Sequence, residues 1–482
     1  MKHKITALVI MLCALTKVGA QEELDSIVKQ FMADRQLMLE EFNAYVDSID
    51  LDFSRYLARN WDTFRVEPAV QAPVKPQPKE EPVYVPDIAP RQDSAVVIES
   101  VPDDAAYMEP AIPKADLQIM PGAAAGASLS VDFFGGPVRV AIPEGYQTGA
   151  EPLGTGEKQV ADYWFKLSKT GSSAFVRDLM LKKEALDLNS WGLYRFILAT
   201  ANACFSERQP NERAVFTVFL LNRAGYKARI GRINNALVVM PAIRNKVYGL
   251  QYIPFRDGNY YIMDNIDTSG GIASYNLNYG RAAFFIDLRI MKPPKLPINL
   301  RTVERSYNGK TYSIRSNKNL VDYYGAYPHT SLDIYGDMPF SDISGQSLDA
   351  ALEADMKGKT EAEKLSFLLN FAQRAFKYKM DEDVFGREKF FFADETLFHP
   401  WSDCEDRAVL FSRLVKRFCD LKVLLVDYPT HVATAVRINE PGDAIVYNND
   451  RYVICDPSYV GAPVGATMSG CNNESAEVIA LR

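Results

Sequence analysis

A chain of 482 residues, 47% hydrophobic and 24% charged, carries enough apolar material for about two to four domains, so a wholly disordered chain is excluded. Its net charge is −7 and no basic block interrupts it, which argues against nucleic acid as a partner. Past the first residues no run is long enough to cross a bilayer, so no membrane span is expected.

Residues 1–20 read as a secretory signal peptide. Lys2 and Lys4 precede an apolar run from Ile5 to Leu15, and Val18-Gly19-Ala20 supplies small residues before a cleavage point at Gln21. Removing this segment takes away three lysines and no acids, and the charge moves from −7 to −10. The expectation is an exported protein, periplasmic or extracellular. Its five remaining cysteines (Cys204, Cys404, Cys419, Cys455 and Cys471) are an odd number, which leaves at least one thiol without an intramolecular partner. No CxxC pair or histidine-rich cluster appears, so a structural zinc site is not expected.

Residues 21–65 carry apolar positions at helical spacing, among them Ile27, Phe31, Phe42, Ile49, Phe53, Leu57 and Trp61. They predict two amphipathic helices broken near Asp50-Leu51-Asp52, acting as a helical cap or as a docking arm. Residues 66–124 follow as a linker. Between Val66 and Pro121 lie 11 of the 27 prolines, and proline lacks an amide hydrogen and fixes its own φ, so the segment reads as extended and partly polyproline II.

From about Ser128 the pattern is globular and repeats. Val131–Gly136 is echoed by Val321–Ala326, Glu212–Phe216 by Asp406–Leu410, Phe219–Gly225 by Arg413–Cys419, and Tyr260–Asp264 by Tyr452–Asp456. The offsets of 190, 194 and 192 hold order and spacing over more than a hundred residues. Two copies of one α+β domain follow, residues 125–298 and 299–482. Copy one has Pro210 in place of Cys404 and the neighbourhood of Asn235 in place of His431. It retains only Asp264, as a relic, and is expected to be inert.

The chemistry falls in copy two. Cys404 lies four and seven positions before Ala408 and Phe411, on the inward face of a helix capped by Ser402 or Asp403. There the helix dipole favours thiolate and the amides of the first turn favour an oxyanion. His431 stands 27 residues later and opens an alternating strand to Arg437. Turn residues Asn448-Asn449-Asp450 then lead to an antiparallel partner that ends at Asp456, 25 residues after His431. A thiol, an imidazole base and a carboxylate that orients it form the set an acyl-transfer reaction needs. The loop Met380–Ser402 is rich in aromatic residues, which line a substrate wall or anchor the loop. His329 and His399 have no comparable context.

Cys404 at a helix start, His431 on a strand and Asp456-Pro457 ending the next resemble the transglutaminase-like superfamily, with its papain-like fold. Asp403-Cys404-Glu405-Asp406 is similar to the motif of bacterial transglutaminase-like cysteine proteases. The resemblance runs from about Leu365 to Val460 and is weaker over copy one; Ser402-Asp403 stands where many relatives carry a glycine. It implies two tandem domains of that fold, with Cys404 as nucleophile, His431 as general base and Asp456 as orienter acting on a protein or peptide substrate. Asp403, Glu405 and Asp406 read as solvated cap residues or as partners of Arg407, and the resemblance leaves calcium open for such acids. Three functions remain: a cysteine hydrolase (peptidase or amidase), a crosslinking transglutaminase, and a non-catalytic binding or scaffold protein.

Overall fold

The computed structural model describes residues 19–73, 81–86, 94–98, 126–143, 145–146, 152–169 and 171–482. The signal segment thus lies outside the described residues except for Gly19 and Ala20. The chain is a mixed α+β protein. Its described residues open with one continuous helix, α1 (Gly19–Leu57), where the sequence predicts two. The aspartates near 50 do not break it because they face different surroundings. Asp50 is buried and pairs with Arg223, while Asp52 is exposed beside Arg55 at 3.4 Å. Beyond α1, Trp61 donates its indole N–H to the Leu57 carbonyl, and β1 (Asp62–Phe64) follows.

The described parts of the proline-rich stretch pair with the rest of the protein, including β2 (Ala95–Ile98), and the remainder of the expected linker, 74–80, 87–93 and 99–124, lies outside the described residues. The hairpin β3 (Gly126–Asp132) and β4 (Pro137–Pro143) leads into four helices: α2 (Glu157–Lys169), α3 (Ser172–Ala185), α4 (Ser190–Cys204) and α5 (Pro210–Arg223). Five strands follow: β5 (Ala228–Ile233), β6 (Ala236–Pro241), β7 (Tyr252–Phe255), β8 (Gly258–Tyr261) and β9 (Ile272–Ser274). One sheet has the order β1-β9-β5-β6, so α1 and its following strand are built into this half.

The second half begins with the hairpin β10 (Leu300–Tyr307) and β11 (Lys310–Asn317). Its helices are α6 (Lys318–Gly325), α7 (Leu332–Gly336), α8 (Asp342–Met356) and α9 (Glu361–Arg374). A Thr360–Glu363 capping box starts α9, whose Leu365, Leu368, Leu369 and Ala372 fall on one buried face. The short elements β12 (Lys377–Tyr378), α10 (Asp381–Phe385), α11 (Ala393–Phe398) and β13 (Trp401–Ser402) lead to α12 (Cys404–Phe418). The chain closes with β14 (Val423–Tyr428), β15 (His431–Val436), β16 (Ala444–Tyr447), β17 (Asp450–Cys455) and β18 (Glu477–Ala480).

These last strands form a six-stranded sheet, β18-β14-β15-β17-β16-β2, to which β2 is added in parallel at the β16 edge. Asn448 and Asn449, both at positive φ, make the two-residue turn between β16 and β17, and β17 pairs antiparallel with β15. Helix α12 packs on one face of this sheet. Its Ala408, Phe411, Leu414 and Val415 share a core with Val432, Val436 and Cys455. That core is continuous through Phe392, Tyr324 and Tyr327 to Trp191, Phe216 and Phe53 of the first half. The opposite face packs a second cluster around Tyr428, Ala433, Ala435 and Ile454.

Three of the four repeat landmarks have matching structure: both halves run from a helix (α5, α12) into an antiparallel hairpin (β5–β6, β14–β15) and on to a strand (β8, β17). The fourth does not. Val131-Asp132 ends a strand and Phe134 turns at φ 44°, whereas Val321–Gly325 is helical. Here similar letters take different backbones: Gly135 corresponds to Gly325 and Gly136 to Ala326, yet the first stretch turns and the second is helical.

Candidate active site

Asp403 occupies the N-cap position of α12 in extended backbone, yet its side chain makes no cap hydrogen bond. Cys404, the first helical residue, is 0% exposed. Its thiol donates to the Glu405 carboxylate at 2.9 Å and receives the backbone amide of Val432. Burial pushes the thiol well above its ordinary range. Glu405 and Asp403 push it further, and the Val432 amide only partly opposes them. The helix dipole favours thiolate at this position, but desolvation and the adjacent acids outweigh it.

His431 is the last paired residue of the tight β14–β15 hairpin, opposite Tyr428, whose ring lies nearly parallel to the imidazole with centroids 6.3 Å apart. Its Nε2 lies 2.8 Å from Asp456 Oδ2. The other carboxylate oxygen, Oδ1, accepts the amides of Ser458 and Tyr459 at 3.0 and 3.1 Å, so the turn after β17 fixes the aspartate. His431 Nδ1 is buried and without a hydrogen-bond partner.

The structure therefore brings His431 and Asp456 together, and seats the Cys404 thiol on the amide of the residue that follows His431. No hydrogen bond joins Cys404 to His431. Strand alternation gives the reason: Val432 and Val436 face the core that holds α12, while Ala433 and Ala435, which share the parity of His431, and its cross-strand partner Tyr428 belong to the other face. The imidazole stands at the first residue of β15, with its ring nearly parallel to that of Tyr428.

The acids beside the cysteine are not solvated cap residues, and Arg407 is not their partner. Asp403, Glu405 and Asp406 are buried, and Arg407 instead meets Glu81 at 2.7 Å, the Ser402 hydroxyl, and the carbonyls of Gln373 and Phe376. Two sets of carboxylates have oxygens within 4.8 Å of one another: Asp381, Asp403 and Asp406, and Glu388, Asp403 and Glu405. Asp403 Oδ1 and Asp406 Oδ2 are buried without hydrogen-bond partners. Burial and mutual repulsion raise Asp403 and Asp406 well above the carboxylate range, and Asp381 is pushed up to about 7, chiefly by burial. All-oxygen donors, orphaned lone pairs and surplus negative charge fit a hard divalent cation of the calcium class. Those residues would hold it, and its charge would offset the repulsion that keeps the thiol protonated.

Sequence reasoning overlooked Asp381 and Glu388, although the acidic run Asp381-Glu382-Asp383 in the loop was a visible signal. The aromatic residues of that loop anchor it. Phe391 and Phe392 are fully buried, and Phe392 packs on Tyr324 and Tyr335 with centroids 4.7 and 4.6 Å away. His399 stacks on Phe391, and His329 packs edge-on against Phe390; burial pulls both imidazoles down to about 4, so they stay neutral. All five cysteines after Cys13 are free thiols. In the first half, Pro210 opens α5 while Asn235 and Asp264 are both exposed. Among the described residues no helix is long and apolar enough to cross a membrane. Comparison with protein-family models and with curated proteins returns no match to either.

Proposed function

We propose that the chain is an exported cysteine hydrolase, a peptidase or amidase, held in a resting state, with its catalytic residues in the second of two tandem domains of transglutaminase-like, papain-like type. The observation that carries the reading is the His431–Asp456 pair, whose imidazole has Nε2 committed to the carboxylate at 2.8 Å and Nδ1 buried and unpaired, on the strand against which the Cys404 helix packs. The Val432 amide, on the next residue, partly opposes the upward push on the Cys404 thiol.

In the reaction the thiol leaves Glu405 and gives its proton to His431 Nδ1, and the sulfur attacks the substrate carbonyl carbon. The oxyanion is met by first-turn amides of α12. As the C–N bond breaks, His431 returns the proton to the leaving amine and a thioester remains on Cys404. Water then attacks the thioester, with its proton passing to His431 and on to the departing sulfur. Asp456 holds the imidazole throughout in the tautomer with its proton on Nε2. An amine in place of water would give transamidation, the crosslinking alternative.

A second reading, a non-catalytic binding or scaffold protein, is favoured by the fully buried thiol bonded to a carboxylate. Incubation of the full chain with a peptide library, with and without calcium, separates the two by mass spectrometry. The hydrolase reading expects cleaved peptides and a thioester on Cys404, both lost in Cys404→Ala. No product and no adduct under either condition would favour the scaffold.

A further inference from the structure

The strongest unexplained feature beside this site is a piece of the chain's own proline-rich segment. Residues Glu81–Pro86 run as an extended ribbon across the second half. Val460 donates its amide to Pro82 O at 2.8 Å, Tyr84 donates its amide to Val460 O at 2.9 Å, and Val83 bridges Val460 in parallel. The Tyr84 ring meets Tyr459 edge-on at 5.4 Å, while Val83 and Val85 point outward, 66% and 76% exposed. Alternation with backbone pairing on one side is the geometry of a peptide added to an exposed edge.

The ribbon touches α12, which carries Cys404, and the turn that follows Asp456. Glu81 meets the guanidinium of Arg407, one turn beyond Cys404 on α12, and Val460 lies four residues past Asp456. Arg407 is fully buried, and Glu81 is the only carboxylate that ion-pairs with it among the described residues. A buried guanidinium without its counter-charge is strongly unfavourable, so this position selects an acidic side chain. The neighbouring proline has no amide hydrogen to leave unpaired.

We propose that Arg407 and the Val460 edge form a groove for an extended peptide with an acidic residue three positions before an aromatic one, and that Glu81–Tyr84 fills it in cis as a tethered occupant. As a statement about binding it stands on these contacts; as a statement about the substrate it rests on the hydrolase reading. A tethered segment acts at an effective concentration of about millimolar, so a peptide supplied in trans must outcompete it.

The test uses the full chain carrying Glu81→Gln and Tyr84→Ala, and a fluorescent peptide of sequence Glu-Glu-Pro-Val-Tyr-Val-Pro followed by anisotropy. The peptide is expected to bind the variant at least tenfold (about) more tightly than the unaltered chain. A peptide with glutamine for the second glutamate is expected to lose that affinity. Equal binding to both chains, binding to neither, or indifference to the glutamate would overturn the proposal. If the double variant does not fold, Tyr84→Ala alone gives the same comparison. Repeating it in His431→Ala keeps the two claims apart: binding persists there if the groove is right, even where the hydrolase reading fails.

Discussion

His431 Nε2 lies 2.8 Å from Asp456 Oδ2, with each residue 1% exposed, while Asp456 Oδ1 is held by the Ser458 and Tyr459 amides. The pair fixes one nitrogen and leaves the other, Nδ1, buried and without a hydrogen-bond partner, the atom that serves as base in the proposed mechanism. Asp456→Asn keeps the shape and an oxygen for the two amides, but turns an NH2 toward Nε2. The imidazole proton must then sit on Nδ1, where it cannot accept a thiol proton. The melting temperature should change little while turnover falls about 10²- to 10⁴-fold, the range for loss of general-base action. Unchanged turnover would remove Asp456 from the mechanism.

Glu405 is the acceptor of the resting Cys404 thiol and one of the charges that keep it protonated. Glu405→Gln removes the charge but keeps the volume. The pH at which Cys404 becomes reactive, followed by alkylation and peptide mapping in chelator, should move down. An unchanged or higher midpoint would show that Glu405 does not restrain the thiol.

Asp381, with its carboxyl pushed up to about 7, ties stability to pH, and its place beside Asp403 and Asp406 predicts a response to calcium. Its folded-state value lies above the unfolded one of 3.8, so the protonated form favours the fold. That contribution is complete below the unfolded value and is lost as pH rises through about 7. In chelator the melting temperature should therefore fall between pH 5 and pH 7.5, and calcium should raise it at pH 7.5 more than at pH 5. Asp381→Asn should flatten both responses. A calcium effect that ignores pH and survives Asp381→Asn would place the cation elsewhere.

Asp50 of α1 and Arg223 of α5 form a buried ion pair, and Arg223 also donates to Ser173 Oγ at 2.7 Å. Burial pushes the Asp50 carboxyl up and Arg223 pulls it back. Asp50→Ala leaves a buried guanidinium without its counter-charge and should destabilise the protein by about 3–5 kcal/mol in denaturant unfolding. Asp50→Leu combined with Arg223→Met should recover much of that loss. Destabilisation well under about 1 kcal/mol for the single change would mean that α1 is docked by its apolar face alone.

The elements of the candidate site were legible because each rests on local chemistry. Apolar spacing marks α12, strict alternation marks β15, and the paired asparagines mark the turn before β17. What was not legible depends on distant neighbours. Asp50 reads as a helix break until Arg223, 173 residues away, supplies its partner. The acids around Cys404 read as solvated until Asp381 and the aromatic loop enclose them. Arg407 finds Glu81 across 326 residues, inside a segment whose prolines read as linker. Which sheet face carries the Cys404 helix is likewise set by packing, and alternation alone does not say which.

The central claim is that His431 activates Cys404, and alkylation of Cys404 tests it most directly. The full chain and His431→Ala are treated with iodoacetamide across pH 5–9 in calcium, and labelled cysteines are mapped. The account predicts that below pH 7 Cys404 reacts at least tenfold (about) faster in the unaltered chain than in His431→Ala, while Cys204, Cys419, Cys455 and Cys471 react alike in both. Equal Cys404 rates in the two proteins at every pH would contradict it.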